Sequence, residues 1–109
     1  MADEALSLRL EKYEGPLDLL LKLIEKNKIN IYDIPIAEIT EQYMAYLSGM
    51  EREDLDQLSE FLLMAATLLD IKARMLLPRE VDQETGEEVD PRAELVNRLL
   101  EHKKYKLMA

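Results

Sequence analysis

Residues 54–77 read DLDQLSEFLLMAATLLDIKARMLL, followed at once by Pro78. Leu58, Leu62, Ala65, Leu69, Ala73 and Leu76 recur at helical spacing and form one apolar stripe. Phe61, Met64, Leu68, Ile71 and Met75 form a second, with strict three-four-three-four spacing. At about 100° per residue the two stripes are centred roughly 120° apart. Asp56, Glu60, Thr67, Asp70 and Arg74 remain as the polar surface. Asp54 or Glu53 is suited to cap the start, and Pro78 ends the run because it lacks the N–H that another helical turn requires. A long helix with two apolar seams needs two neighbours, so the fold turns on what supplies them.

Upstream, Gly15-Pro16 opens a helix expected to run to about Asn27, with Pro16 at the first position, where a missing N–H costs nothing. Leu17, Leu20, Leu21 and Ile24, widened by Leu19 and Leu23, leave only Asp18, Lys22, Glu25 and Lys26 polar. So broad a face must be packed on two sides. Ile31-Tyr32-Asp33-Ile34-Pro35 reads as a turn, because Pro35 disfavours helical geometry at Ile34. A second helix is expected from Pro35 to Ser48, single-faced through Ile36, Ile39, Tyr43 and Tyr46 or Leu47, and ended at Gly49. Leu6, Leu8 and Leu10 alternate with Ser7, Arg9 and Glu11 as in a short half-buried strand, whose best partner is Ile29 and Ile31.

Downstream, the composition turns acidic over 79–90, with Glu80, Asp82, Glu84, Glu87, Glu88 and Asp90 and few apolar residues. This reads as a flexible, solvated linker. Asp90-Pro91 then reads as a cap plus first helical residue of a fourth amphipathic helix carrying Leu95, Val96, Leu99 and Leu100 and ending in Lys103, Lys104 and Lys106. The fold class is all-α: a three-helix N-terminal domain over 1–78, a linker over 79–90 and a tethered helical segment over 91–109.

Composition narrows the function. The 109 residues are 48% hydrophobic with three Gly and four Pro, which suits helices and one modest core. With no Cys there are no disulfides, thiolate metal sites or cysteine nucleophiles, and a reducing cytosolic setting fits. The longest apolar stretch, Phe61 to Leu69, is about half a membrane span, and the N-terminus lacks the order of a signal peptide. A formal charge of −9 opposes phosphate backbones. Arg98, Lys103, Lys104 and Lys106 beside Tyr105 form the one basic stretch, and at a helix C-terminus cations are favoured by the macrodipole alone.

Catalysis requires convergent polar groups that this sequence does not offer. His102 lies among lysines, Ser7, Ser48 and Ser59 have no evident base, and Asp54, Asp56 and Glu60 are helix-start carboxylates rather than a metal set. No phosphate-binding glycine loop exists, so neither an enzyme nor a cofactor is expected. The signal that remains is the spare seam of the long helix, and Met64 and Met75 would line such a surface adaptably.

Three blocks together resemble the N-terminal part of the segregation and condensation protein A family, the bacterial kleisins of SMC–condensin complexes. They are Tyr13-Glu14-Gly15-Pro16-Leu17-Asp18-Leu19-Leu20-Leu21, then Ile31-Tyr32-Asp33-Ile34-Pro35-Ile36 leading into Ile39-Thr40-Glu41-Gln42-Tyr43, then Met64 to Leu69 through Ile71-Lys72-Ala73-Arg74-Met75-Leu76-Leu77-Pro78. The acidic stretch followed by Asp90-Pro91-Arg92 and Lys104-Tyr105-Lys106 resembles the start of the family's central segment. The resemblance implies a long helix that joins the coiled-coil neck of an SMC ATPase, a central segment wrapped by a dimer of segregation and condensation protein B (ScpB), and a C-terminal winged helix. Only the first is complete in these residues, so the chain reads as a cytoplasmic, nucleoid-associated adaptor fragment without direct nucleic-acid or membrane contacts.

Joining resemblance to periodicity, Phe61, Met64, Leu68, Ile71 and Met75, flanked by Lys72 and Arg74, are the expected SMC-neck contacts. Leu58, Leu62, Ala65, Leu69 and Leu76 would then face the first two helices. The opposite assignment would exchange the residues needed for folding with those needed for binding. Leu95, Val96, Leu99, Leu100 and Tyr105 are the expected ScpB anchors. A small helix-turn-helix DNA-binding regulator and a self-associating helical module are the alternatives. The acidic start Glu51-Arg52-Glu53-Asp54 counts against the regulator.

Overall fold

The computed structural model describes residues 13, 15–49 and 55–108. Among these residues four helices follow in order, α1 (Pro16–Lys26), α2 (Ile36–Ser48), α3 (Leu55–Met75) and α4 (Ala93–Met108), with a hairpin of β1 (Glu80–Val81) and β2 (Glu88–Val89) between α3 and α4. The all-α class is therefore right, with one very small sheet added. The strand expected over Leu6 to Leu10 lies outside the described residues, and Ile29 and Ile31 pair with no strand among the described residues.

Pro16 occupies the first turn of α1, and Asp18 places a carboxylate near its positive end. Its C-terminus closes as a Schellman motif: the Lys28 N–H donates to the Glu25 carbonyl at 3.1 Å and the Ile29 N–H to the Ile24 carbonyl at 3.0 Å. Lys28 holds the left-handed position at φ 55° that glycine usually takes. Asn27 and Gln42 exchange amide hydrogen bonds of 2.8 and 3.1 Å, tying the end of α1 to α2.

The core joins all four helices. Leu19, Leu20 and Ile24 of α1, Ile36, Ile39 and Tyr43 of α2, Phe61, Met64, Leu68 and Ile71 of α3, and Leu95 and Leu99 of α4 are buried together with Ile34. Tyr43 stacks on Phe61 with ring centroids 6.4 Å apart, and its hydroxyl donates to the Phe61 carbonyl at 2.7 Å. Burial pushes the Tyr43 hydroxyl pKa up, so this donor stays protonated.

The stretch expected to be a flexible linker is instead a hairpin with Glu80 opposite Val89 and Val81 opposite Glu88. Local turn chemistry explains the difference. The Glu84 N–H donates to the Asp82 side chain at 2.8 Å, the Asp82 N–H to the Glu87 carbonyl at 2.9 Å, and Gly86 takes φ 73°. Few apolar residues are needed when side chains close the turn themselves. The fourth helix is not merely tethered either, because α4 packs along α1 and supplies the second cover that the broad α1 face demands.

Leu68 is fully buried and its neighbour Leu69 is 48% exposed, so they separate the two faces of α3. Leu68→Ala is expected to lower unfolding free energy by about 2–5 kcal/mol. Leu69→Ala should cost under about 1 kcal/mol, read by urea denaturation of each variant.

Candidate helix-docking interface

Alternating spacings of four and three residues place Leu62, Ala66, Leu69, Ala73 and Leu76 along one side of α3, and all five are exposed. Leu62 and Leu76 expose 52% and 84% of their surface. The row lies roughly 140° around the helix from the buried stripe. Leu63 and Leu77 extend its edge, at 70% and 62% exposure. So much contiguous apolar surface marks an interaction site rather than scattered surface leucines. The alternation of Leu with Ala has the heptad form of a coiled-coil seam, and the alanines let a second helix approach closely.

This reverses the expected assignment of faces. Phe61, Met64, Leu68 and Ile71, expected at the neck, are core residues, and Met75 packs half-buried against them. Leu62, Leu69 and Leu76, expected inside, are outside, whereas Ala65 is buried and Leu58 half-buried as expected. The physical reason is volume. α1 and α2 both pack on the Phe61 stripe, where the larger and more varied side chains fill the space between three helices, and the Leu/Ala row is left without cover. Lys72 and Arg74 are exposed beside the seam, and Arg74 pairs with Asp70 at 3.2 Å. An exposed pair one turn apart adds only a few tenths of a kcal/mol, which leaves both groups available to a partner.

The residues expected to anchor a second partner separate in the same way. Leu95 and Leu99 are buried in the core and Val96 and Leu100 are half-buried, so they hold α4 to the bundle. Tyr105 is exposed at 63%, as are Leu107 and Met108 beyond it. A helix whose linker is short and folded buries its apolar face on the nearest free surface, here α1.

A residue that periodicity gives no reason to single out fastens this arrangement. Arg92, only 15% exposed, donates through Nη1 to Asp33 and to the Ile34 carbonyl, both at 2.8 Å. Through Nη2 and Nε it grips Asp90 at 2.8 and 3.0 Å. The Asp90 side chain also accepts the Arg92 N–H at 2.9 Å, as a cap would, but Pro91 and Arg92 form a turn and α4 begins at Ala93 rather than at the expected Pro91. The Arg92 guanidinium holds the Asp90 carboxyl below its ordinary range, and the two carboxylates in turn raise the arginine. At the other end Lys106 meets Asp18 at 2.5 Å. Among the described residues there is no group of three His, Cys, Asp or Glu able to hold a metal and no helix long and apolar enough to cross a membrane.

Arg92→Ala should destabilise the chain by about 1–3 kcal/mol, since it leaves the Ile34 carbonyl without that donor. Because the folded-state pKa of Asp90 is depressed, its contribution is complete above the unfolded value of 3.8 and disappears as pH falls through the lower folded value. Urea unfolding across this acidic range should show that dependence in the wild type and lose it in Asp90→Asn.

Comparison with known proteins adds an independent line. The sequence profile of the family described as "Segregation and condensation protein ScpA" matches residues 23–109. Segregation and condensation protein A of Brevibacillus brevis is 54% identical over 113 aligned positions, covering 96% of this chain and 44% of the relative. The protein of that name from Halalkalibacterium halodurans is 57% identical over 104 positions, covering 92% of this chain and 40% of the relative. That from Thermoanaerobacter sp. strain X514 is 55% identical, with 94% of this chain and 44% of the relative covered. The chain thus spans less than half the length of these relatives.

Proposed function

The chain belongs to the segregation and condensation protein A family, and from that premise we propose that it is a non-enzymatic adaptor in chromosome segregation and condensation. In this reading α3 adds itself to the coiled-coil neck of an SMC ATPase, in the cytoplasm at the nucleoid. Any ATP chemistry belongs to that partner. The observation that carries the reading is the uncovered heptad row from Leu62 to Leu76 on a helix whose opposite side is locked into a core.

The physical fit is direct. A coiled-coil neck presents helices with their own heptad stripes, and α3 offers a Leu/Ala seam able to mesh with one of them by knobs-into-holes packing. Lys72 and Arg74 stand where ion pairs set register and partner choice more than affinity. The contact to ScpB is then made from the exposed end of α4, beginning at Tyr105, rather than by the Leu95 and Leu99 face, which the bundle already uses. A DNA-binding regulator fits poorly. The outer face of α3 offers Leu and Ala where major-groove readout needs Arg, Lys, Asn or Gln.

The test is a titration of an SMC head-plus-neck fragment with the wild type, Leu69→Glu and Thr67→Glu, each checked by circular dichroism. Leu69→Glu should remain helical and lose binding by more than about a hundredfold, as burial of an unpaired carboxylate in a helix seam implies. Thr67→Glu, off the seam, should bind as the wild type. Retained binding by a folded Leu69→Glu would refute the seam.

A further inference from the structure

The seam does not end with α3. Leu77 follows Leu76 round the last turn, where the Leu77 N–H donates to the Arg74 carbonyl at 3.1 Å. With Pro78 and Arg74 it lines a crevice whose far wall is Glu80 and Val89 of the hairpin. An apolar path therefore runs off the helix from Leu76 through Leu77 onto Val89, which is 43% exposed. Across the ribbon, the pairing of Val81 with Glu88 puts a second exposed valine beside a second glutamate.

Charge on this extension is predominantly negative. Residues 80–89 contain five carboxylates and no Lys, Arg or His. None of the five is in an ion pair among the described residues, and they outnumber Arg74 and Arg79, the two arginines that line the crevice at the hairpin's base. The hairpin's turn hydrogen bonds and the Arg92 latch at its base hold these like charges in place, and the carbonyl end of α3 adds partial negative charge beside them. Apolar contact continuing into a predominantly negative ribbon fits a helix that is apolar along its length and carries Lys or Arg where it meets the hairpin.

We propose that the hairpin is the terminal part of the docking surface. It selects an amphipathic helix that brings Lys or Arg beside the C-terminus of α3. This rests on the seam reading of the preceding subsection. The hairpin contributes specificity and encounter rate, while the Leu/Ala row contributes most of the affinity.

The experiment titrates an SMC head-plus-neck fragment with three versions of the full chain, the wild type, Leu69→Glu and the triple variant Glu80→Gln, Glu87→Gln, Glu88→Gln. Each is measured at about 50 mM and about 500 mM salt, where screening lengths differ roughly threefold. All three substituted glutamates are exposed, and circular dichroism verifies the fold. The triple variant should bind about tenfold more weakly at the lower salt and within about twofold of the wild type at the higher. If it matches the wild type at both salts while Leu69→Glu fails to bind, the hairpin proposal is overturned and the seam stands. Equal weakening at both salts also overturns it, because the effect is then not one of charge. Wild-type binding by a folded Leu69→Glu overturns the seam and the hairpin proposal together.

Discussion

Everything in this fold depends on which side of α3 the core takes. Phe61, Met64, Leu68 and Ile71 are buried against α1 and α2, and the Tyr43 hydroxyl fixes α2 on that side by its bond to the Phe61 carbonyl. A chain of 109 residues has apolar volume for one core. Filling it from one stripe leaves the other without cover. The exposed Leu/Ala row is thus a consequence of how the domain folds, and a helix of matching periodicity is the surface that would complete it. In the proposed reading, stability and recognition lie on opposite sides of one helix, so each can change without the other.

The same logic governs α4. The first helix is apolar almost all round, and such a helix is stable only when packed on more than one side. α2 and α3 cover one part and Leu95 and Leu99 cover another. Arg92 holds the start of α4 against the turn at Asp33 and Ile34, while Lys106 meets Asp18 near the other end. The hairpin between α3 and α4 is consequently short, closed and anchored at its base. It presents its acidic residues in a fixed place rather than as a diffuse cloud.

Much of this was legible in the sequence. The apolar periodicity, Pro16, Pro35 and Pro78 located the helices to within a few residues, and three blocks of residues indicated the family. What spacing could not convey was which of two equally regular stripes would be buried. That depends on side-chain volume at the junction of three helices, where Phe61, Met64 and Leu68 fill space that Ala66 and Ala73 would leave empty. The hairpin was missed because counting apolar residues ignores turns closed by side chains, here Asp82 and Thr85 with Gly86. Arg92 carries no periodic signal. Its position directly after Asp90-Pro91 was the only hint, and its partners Asp33 and Ile34 lie 59 and 58 residues away along the chain.

The central claim, that one face of α3 folds the domain and the other docks a partner helix, is tested most directly by hydroxyl-radical footprinting of the chain alone and with an SMC head-plus-neck fragment. The account predicts that Leu62, Leu69 and Leu76 are modified in the free chain and protected in the complex, while Phe61 and Leu68 are protected in both. Equal modification of Leu69 and Leu76 with and without the partner, or ready modification of Leu68 in the free chain, would contradict it.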